Sequence, residues 1–354
     1  ESIVLLKNIK NTLPLNLDSI KTISVTGPNA DDARYALAHY GPQAVEVTTV
    51  LEGIKAKMKN KGEVLYTKGC DIVDANWPES EIFPSPLTVS EQQEIDKAVI
   101  NAQKSDVCII VLGGSQRTCG ENKSRSSIDL PGHQQKLLEA VYATGKPIVL
   151  VMINGRPNSI NWAEKYIPAI LETWYPGSQG GTAVADVLFG DYNPGGRLPL
   201  TYYRSLDELS AFDDYDIQKG RTYMYFENKP LYPFGYGLSY TRFDYKNLKS
   251  EVSDDAVNLK FTVKNTGKYA GDEVAQVYVR FPESGIKVPL KQLKGFERVH
   301  IGKGKSAQVS VSIPKKELRL WDEKERKFYT PSGNYIFMVG SSSDDIRLQQ
   351  VVKL

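Results

Sequence analysis

Cysteine is scarce in this 354-residue chain. Cys70, Cys108 and Cys119 cannot build a disulfide scaffold, and no CxxC pair or His/Cys spacing suggests zinc, so neither a metal nor another cofactor is expected. Cys108 falls inside a strand pattern and reads as a small buried hydrophobe. Cys70 and Cys119 each follow a predicted strand and could meet above one sheet edge as a disulfide; two unpaired thiols is the plainer alternative. Long apolar runs are also missing. The longest, such as Pro147 to Ile153 and Cys108 to Leu112, are strand-length and far short of a spanning helix. No charge of one sign prevails: 44 basic against 42 acidic residues leave a formal net charge of +2, too little to draw the chain to nucleic acid or an anionic membrane. Internal repeats and low-complexity tracts are absent. No initiator Met or signal peptide stands at Glu1, so the chain reads as part of a mature or trimmed protein, any targeting segment having been lost upstream.

What is present is ordinary for a globular protein, with 41% hydrophobic and 24% charged residues and enough length for two domains. The first two thirds alternate strand and helix. Apolar runs at Thr22 to Thr26, Glu63 to Thr67, Asp106 to Leu112, Pro147 to Ile153 and Ala169 to Thr173 predict strands. Helical periodicity predicts helices over Thr48 to Met58, Ser90 to Ala102 (with Ser90 as N-cap and Glu94 nearby), Gly132 to Ala143 and Gly181 to Phe189. Asp31 and Asp32 are capping candidates for the helix that follows them. Continuous apolar strands between helices mean a mostly parallel sheet covered on both faces, so the expected architecture is a doubly wound α/β sandwich over residues 1–240. Pro230 to Tyr240 is dense in Pro, Gly and aromatics and reads as a packed structural crossover. After Thr241 the pattern changes to short alternating strands, at Phe243 to Ser250, Val257 to Asn265, Glu273 to Phe281, Ser306 to Ser312 and Asn334 to Val339. Residues 241–354 are thus expected to form an all-β sandwich of the immunoglobulin or fibronectin III kind.

One loop carries a candidate site. The strand ending at Leu112 runs into Gly113-Gly114 and then a polar segment with Arg117, Cys119, Glu121, Asn122, Lys123 and Arg125, before Leu130-Pro131-Gly132 opens a helix. In an open α/β sheet, ligands bind just beyond the carboxyl ends of the strands, so a carboxylate among cations on such a loop is placed for chemistry. Glu121 is the only carboxylate between Asp106 and Asp129. Its bland alternative is a solvated loop carboxylate neutralised by Arg117, Lys123 or Arg125. Asp71, Asp74 and Glu172 are weaker carboxylate candidates and read as structural; His133 reads as a surface or capping residue. Gly113-Gly114 and Gly180-Gly181 complete neither a GxGxxG nor a P-loop pattern.

Several motifs together resemble glycoside hydrolase family 3, in its C-terminal half. They are Glu1 to Asn8 (ESIVLLKN) with Leu13-Pro14-Leu15, Gly27-Pro28-Asn29-Ala30, Asn154-Gly155-Arg156-Pro157, Trp174-Tyr175-Pro176-Gly177, Gly190 to Pro194 and Tyr232 to Gly237. In the tail, Lys264 to Gly267 and Lys291 to Arg298 resemble the family's fibronectin-like domain. The resemblance covers the whole chain in order. It implies retaining, exo-acting hydrolysis of β-glycosides, β-glucosidase-like, by two carboxylates on two domains: a nucleophilic Asp from an N-terminal TIM-like barrel and an acid/base from the sandwich loop. Family members have a Glu four residues before an Arg there, which matches Glu121 and Arg125, although Ser124 stands where an Asp usually precedes that Arg. Arg117, Asn122 and Arg125 are then expected to bind substrate or orient the loop. A general acid needs a raised pKa and neighbouring cations work against one, so either some of the three cations are expected to point elsewhere or the barrel is expected to supply the burial and a second negative charge. Nothing in the sequence looks like the barrel, so the chain alone is expected to be inactive, with the barrel supplied in cis or in trans. The rivals are a non-catalytic carbohydrate-binding or accessory module and one chain of a two-chain glycosidase. The family's extracellular substrates imply a secreted or periplasmic protein.

Overall fold

The computed structural model describes residues 1–36 and 45–354. By internal contacts the chain divides into two compact units, residues 1–194 with 203–206 and residues 195–202 with 207–354.

The first unit is built on a six-stranded sheet of β1 (Val4–Asn8), β2 (Thr22–Thr26), β3 (Glu63–Thr67), β4 (Val107–Gly113), β5 (Ile148–Ile153) and β6 (Ala169–Glu172) in the order β1-β6-β5-β4-β2-β3. All pairings are parallel except the edge pair β1–β6. The central strands β4 (VCIIVLG) and β5 (IVLVMI) are buried at every position, as a sheet covered on both faces requires. From β2 the chain goes to β3 on one side, and β4 then returns to the other side of β2. The topological switch point therefore lies between β2 and β4, where an open α/β sheet forms its crevice.

The helices of this unit are α1 (Ala33–Ala36), α2 (Val50–Met58), α3 (Val89–Lys104), α4 (Gln134–Tyr142), α5 (Asn161–Tyr166) and α6 (Gly180–Phe189). Asp32 accepts the Arg34 N–H at 3.0 Å, while Asp31 accepts the Thr49 hydroxyl at 2.8 Å. Thr49 and Glu52 form a capping box on α2. The expected Ser90 cap is corrected: Thr88 is the N-cap of α3, accepting the Glu91 N–H while the Glu91 carboxylate accepts the Thr88 N–H, so the cap lies two residues earlier. His133 stands at the N-cap position of α4 but gives it no side-chain bond; it is buried, facing the Ser85 carbonyl at 3.1 Å and the Glu91 carboxylate at 3.3 Å. Gly181 lets α6 approach α2 so closely that a Cβ would overlap the Thr49 carbonyl, which makes the Gly180-Gly181 pair a packing device.

The second unit holds two antiparallel sheets. The first comprises β7 (Phe243–Val252), β8 (Ala256–Asn265) and β11 (Ser306–Pro314) in the order β11-β8-β7. The second comprises β9 (Gly271–Arg280), β10 (Gln292–Ile301), β14 (Asn334–Gly340) and β15 (Ile346–Lys353) in the order β10-β9-β14-β15. A short hairpin of β12 (Leu320–Asp322) and β13 (Lys327–Tyr329) stands apart. Alternation puts Val257, Leu259, Phe261 and Val263 into one core with Ala275, Val277, Val279, Tyr335 and Phe337, as a β-sandwich demands. The segment 230–240 packs within this unit by its rings, Tyr232 on Tyr236 at 5.5 Å and Phe234 on Tyr223 at 4.3 Å.

Candidate functional site

The loop between β4 and α4 spans residues 114–133 and leaves the sheet beside the switch point. Its two ends are tied together at the base. The buried Gln134, first residue of α4, accepts the Gly113 N–H at 2.8 Å and donates to the Gly113 carbonyl at 2.8 Å and the Ile72 carbonyl at 3.0 Å. Gly113 has φ of 146°, and a side chain there would collide with the Ile153 carbonyl, so only glycine fits. Across the crevice Asn29, in the loop after β2, donates to the Gly114 carbonyl at 2.9 Å.

From that base the backbone turns tightly. Cys119 N–H and Thr118 N–H both reach the Ser115 carbonyl at 3.0 Å. A second turn closes from Lys123 N–H to the Gly120 carbonyl at 3.3 Å, with Glu121 and Asn122 as its central residues and Asn122 at φ of 56°. Asn tolerates the left-handed region that such a turn needs, so Asn122 shapes the loop. Arg156, from the loop after β5, donates to the Lys123 carbonyl at 2.9 Å and supports the turn from below. Beneath it Gly155 lies against the Tyr175 ring and the Cys119 sulfur, and burial, with the Cys119 thiol alongside, pushes the Tyr175 hydroxyl pKa well up.

The return arm is fixed more firmly. Arg125 Nε bonds the Glu81 carboxylate, its Nη2 donates to the Asp129 carbonyl at 2.9 Å, and its guanidinium lies 5.4 Å over the Trp77 ring. Ser126 gives its N–H and hydroxyl to the other Glu81 oxygen at 2.9 and 3.0 Å. Asn158 donates to the Ile128 and Asp129 carbonyls, and the Ser159 N–H donates to the Ile128 carbonyl at 2.8 Å.

This geometry sorts the candidates. Glu121, Asn122 and Arg117 are all exposed on the loop. Glu121 has no hydrogen bond or ion pair among the described residues. Arg125 is an anchor, so at least one neighbouring cation is directed away from Glu121. Asp71 pairs with Lys68, Asp74 is buried and accepts the Asn76 N–H at 2.9 Å, and the buried Glu172 accepts the Trp174 N–H at 3.0 Å. All three carboxylates hold backbone or surface. Cys70, Cys108 and Cys119 are free thiols, so the candidate Cys70–Cys119 disulfide is not formed. Among the described residues no cluster of three His, Cys, Asp or Glu could hold a metal, and no helix is long and apolar enough to cross a membrane.

Glu81, Asn29 and Arg156 went unread as site residues. Asn29 and Arg156 sit in motifs that sequence inspection singles out. Glu81 has no such signal, because nothing local distinguishes it from a solvated glutamate.

Comparison with known proteins agrees with the fold. The chain is 39% identical to a β-xylosidase of Formosa agariphila over 98% of its own length and 48% of that relative's. It is 37% identical to a periplasmic β-glucosidase of Salmonella typhimurium over 98% of this chain and 48% of the relative. A solved β-glucosidase of Erythrobacter marinus superposes with a TM-score of 0.86 at 32% identity, over 99% of this chain and 49% of that one. The chain therefore spans about half the length of the curated relatives it matches. The model of the glycosyl hydrolase family 3 C-terminal domain matches residues 3–240 and that of the fibronectin type III-like domain residues 273–343. By these matches, the chain belongs to glycosyl hydrolase family 3 and carries its C-terminal α/β domain followed by a fibronectin type III-like β-sandwich.

Proposed function

We propose that this chain is the C-terminal part of a retaining, exo-acting β-glycosidase, β-glucosidase-like, and that Glu121 is its acid/base. The observation that carries the reading is the state of Glu121: exposed at the apex of a braced turn beside the switch point, without an ion-pair partner among the described residues. Retaining hydrolysis places two carboxyl groups about 5–5.5 Å apart, one attacking the anomeric carbon while the other protonates the leaving oxygen and then deprotonates water. Glu121 fits the second role. The nucleophilic Asp comes from a TIM-like barrel outside these residues, in cis or in trans, which also supplies the burial a general acid needs. Arg117 and Asn122 flank the scissile position, Asn122 through the turn it shapes. The substrates are β-linked glycosides, and the periplasmic relative supports a secreted or periplasmic location.

The test is Glu121→Gln in the full-length enzyme. On substrates with poor leaving groups kcat/KM should fall by about 10²- to 10⁴-fold, the range general acid catalysis contributes. On a dinitrophenyl glycoside, whose leaving group needs no proton, glycosylation should stay near wild type. Unchanged rates on alkyl glycosides would remove Glu121 from the mechanism. The 354-residue chain alone should show no turnover on either substrate.

A further inference from the structure

The β-sandwich unit has a cleft of about 840 Å³ between the 281–291 loop and the β12–β13 hairpin. Four cations line it, Lys287, Lys294, Arg319 and Lys324. None of them has a carboxylate ion-pair partner among the described residues, although the chain as a whole is nearly balanced in charge. Aromatic rings take their place: Lys287 lies 5.8 Å over Tyr225, Lys294 5.7 Å over Phe281 and Arg319 5.3 Å over Phe328. Two lining acids, Asp322 and Glu323, offset only half of that positive charge. Asp322 accepts the Lys324 and Glu325 N–H groups at 2.9 and 3.1 Å in the hairpin turn, which leaves Glu323 exposed to solvent. In the same wall stands Trp321, 45% exposed and the one exposed tryptophan of the chain's four.

We infer that this cleft binds an acidic glycan, a run of uronate sugars whose carboxylates meet the four cations while Trp321 stacks on a pyranose ring. Lys287 and Arg319 each donate to a backbone carbonyl, of Gln218 and Lys316, but neither these bonds nor the rings cancel charge. Cations without carboxylate partners at a concave surface favour an anionic ligand, and they do so most where they are already partly dehydrated. Lys294 is in that state: burial pushes its pKa down despite Glu317 nearby, so an anion brought to it gains more than one brought to a fully hydrated lysine. A flat indole beside the charges selects a ligand with a broad apolar face as well as negative charge. A nucleic acid would ask for a longer basic track than a chain of net charge +2 offers. The choice of a glycan over an acidic peptide rests on the glycosidase reading above.

Affinity electrophoresis and calorimetry of the 354-residue chain with oligogalacturonate test this, with its fully methyl-esterified form, neutral xylo-oligosaccharide, polyglutamate and single-stranded DNA as comparators. Oligogalacturonate should bind, and methyl esterification should weaken binding at least about tenfold through loss of the charge-assisted contacts. Trp321→Ala, and separately Lys294→Gln with Arg319→Gln, should each weaken it about tenfold, with unchanged melting temperatures showing that the fold is intact. Absence of oligogalacturonate binding would overturn the proposal. So would equal binding of polyglutamate or DNA, or indifference to Trp321→Ala, since either describes a plain ion-exchange surface. Binding is read without turnover, so its failure is distinct from a failure of the Glu121 assignment.

Discussion

Glu81 and Arg125 meet as an ion pair in which each side chain is only 4% exposed, though 44 positions separate them in sequence. The same carboxylate also takes both donors of Ser126. One acid thus holds the return arm of the Glu121 loop. Removing one partner of a buried pair strands the other charge, at a cost of about 3–5 kcal/mol, whereas replacing both by apolar groups is often neutral. Glu81→Ala should therefore lower the urea midpoint of the α/β unit strongly, and Glu81→Met with Arg125→Met should recover most of the loss. If the two single variants were as stable as the parent, the pair would not hold the loop.

Gly155 supports that loop from the next strand end. A Cβ there would sit 2.5 Å from Tyr175 Cε2 and 2.9 Å from Cys119 Sγ, closer than van der Waals contact allows, so both groups would have to shift. Gly155→Ala should cost about 1–3 kcal/mol, the usual penalty for overpacking. Because Cys119 belongs to the loop, its labelling by a thiol reagent should accelerate as the turn is displaced. Circular dichroism melting and thiol labelling measure the two effects separately.

How far these features could be read from sequence depends on where their signal lies. The continuous apolar runs of β4 and β5 announce buried parallel strands because both faces are covered. β10 gave no comparable signal: most of Gln292–Ile301 is exposed or half-buried and its register shifts between Leu293 and Gly295, so alternation never develops. β15 alternates as Ile346, Arg347, Leu348 but loses the pattern at Gln349-Gln350. At the candidate site, Glu121 could be singled out because no other carboxylate lies between Asp106 and Asp129. Arg125 left two roles open, since an arginine's partner is a matter of tertiary structure. Glu81 was invisible for the same reason, its function being defined entirely by a contact distant in sequence.

Asp106 supplies a pH dependence. Its Oδ2 accepts the N–H groups of Thr22 and Lys21 at 2.9 and 2.7 Å, and these bonds hold its carboxyl below the usual carboxylate range. A carboxyl whose folded pKa is depressed stabilises the fold above its unfolded value, about 3.9, and loses that contribution as pH falls through the folded value. The parent should exceed Asp106→Asn in stability near neutral pH, and the gap should narrow steadily below about pH 4. Urea midpoints across that range give the comparison. A gap independent of pH would mean that the charge contributes nothing.

Asn265 closes the turn after β8 and is fully buried. Every hydrogen-bonding position of its amide is used. Oδ1 accepts the Thr241 hydroxyl at 2.6 Å and the Gly267 N–H at 3.0 Å, while Nδ2 donates to the Tyr269 carbonyl at 2.7 Å and the Ile301 carbonyl at 2.9 Å. Asn265→Asp keeps the shape but replaces two donors with an acceptor facing two carbonyls, and it buries a charge with no cation bonded to it. Asn265→Ala leaves the same carbonyls and the Thr241 hydroxyl unsatisfied without adding charge. Buried groups left unpaired cost about 1–3 kcal/mol each, and more when charged. At neutral pH the Asp variant should therefore be the less stable of the two, by chemical denaturation of the β-sandwich unit. Lowering the pH should bring it back toward the Ala variant, because a protonated carboxyl regains one donor. Equal stability of the two variants at pH 7 would show that the site admits water and that the amide's four bonds do not hold the turn.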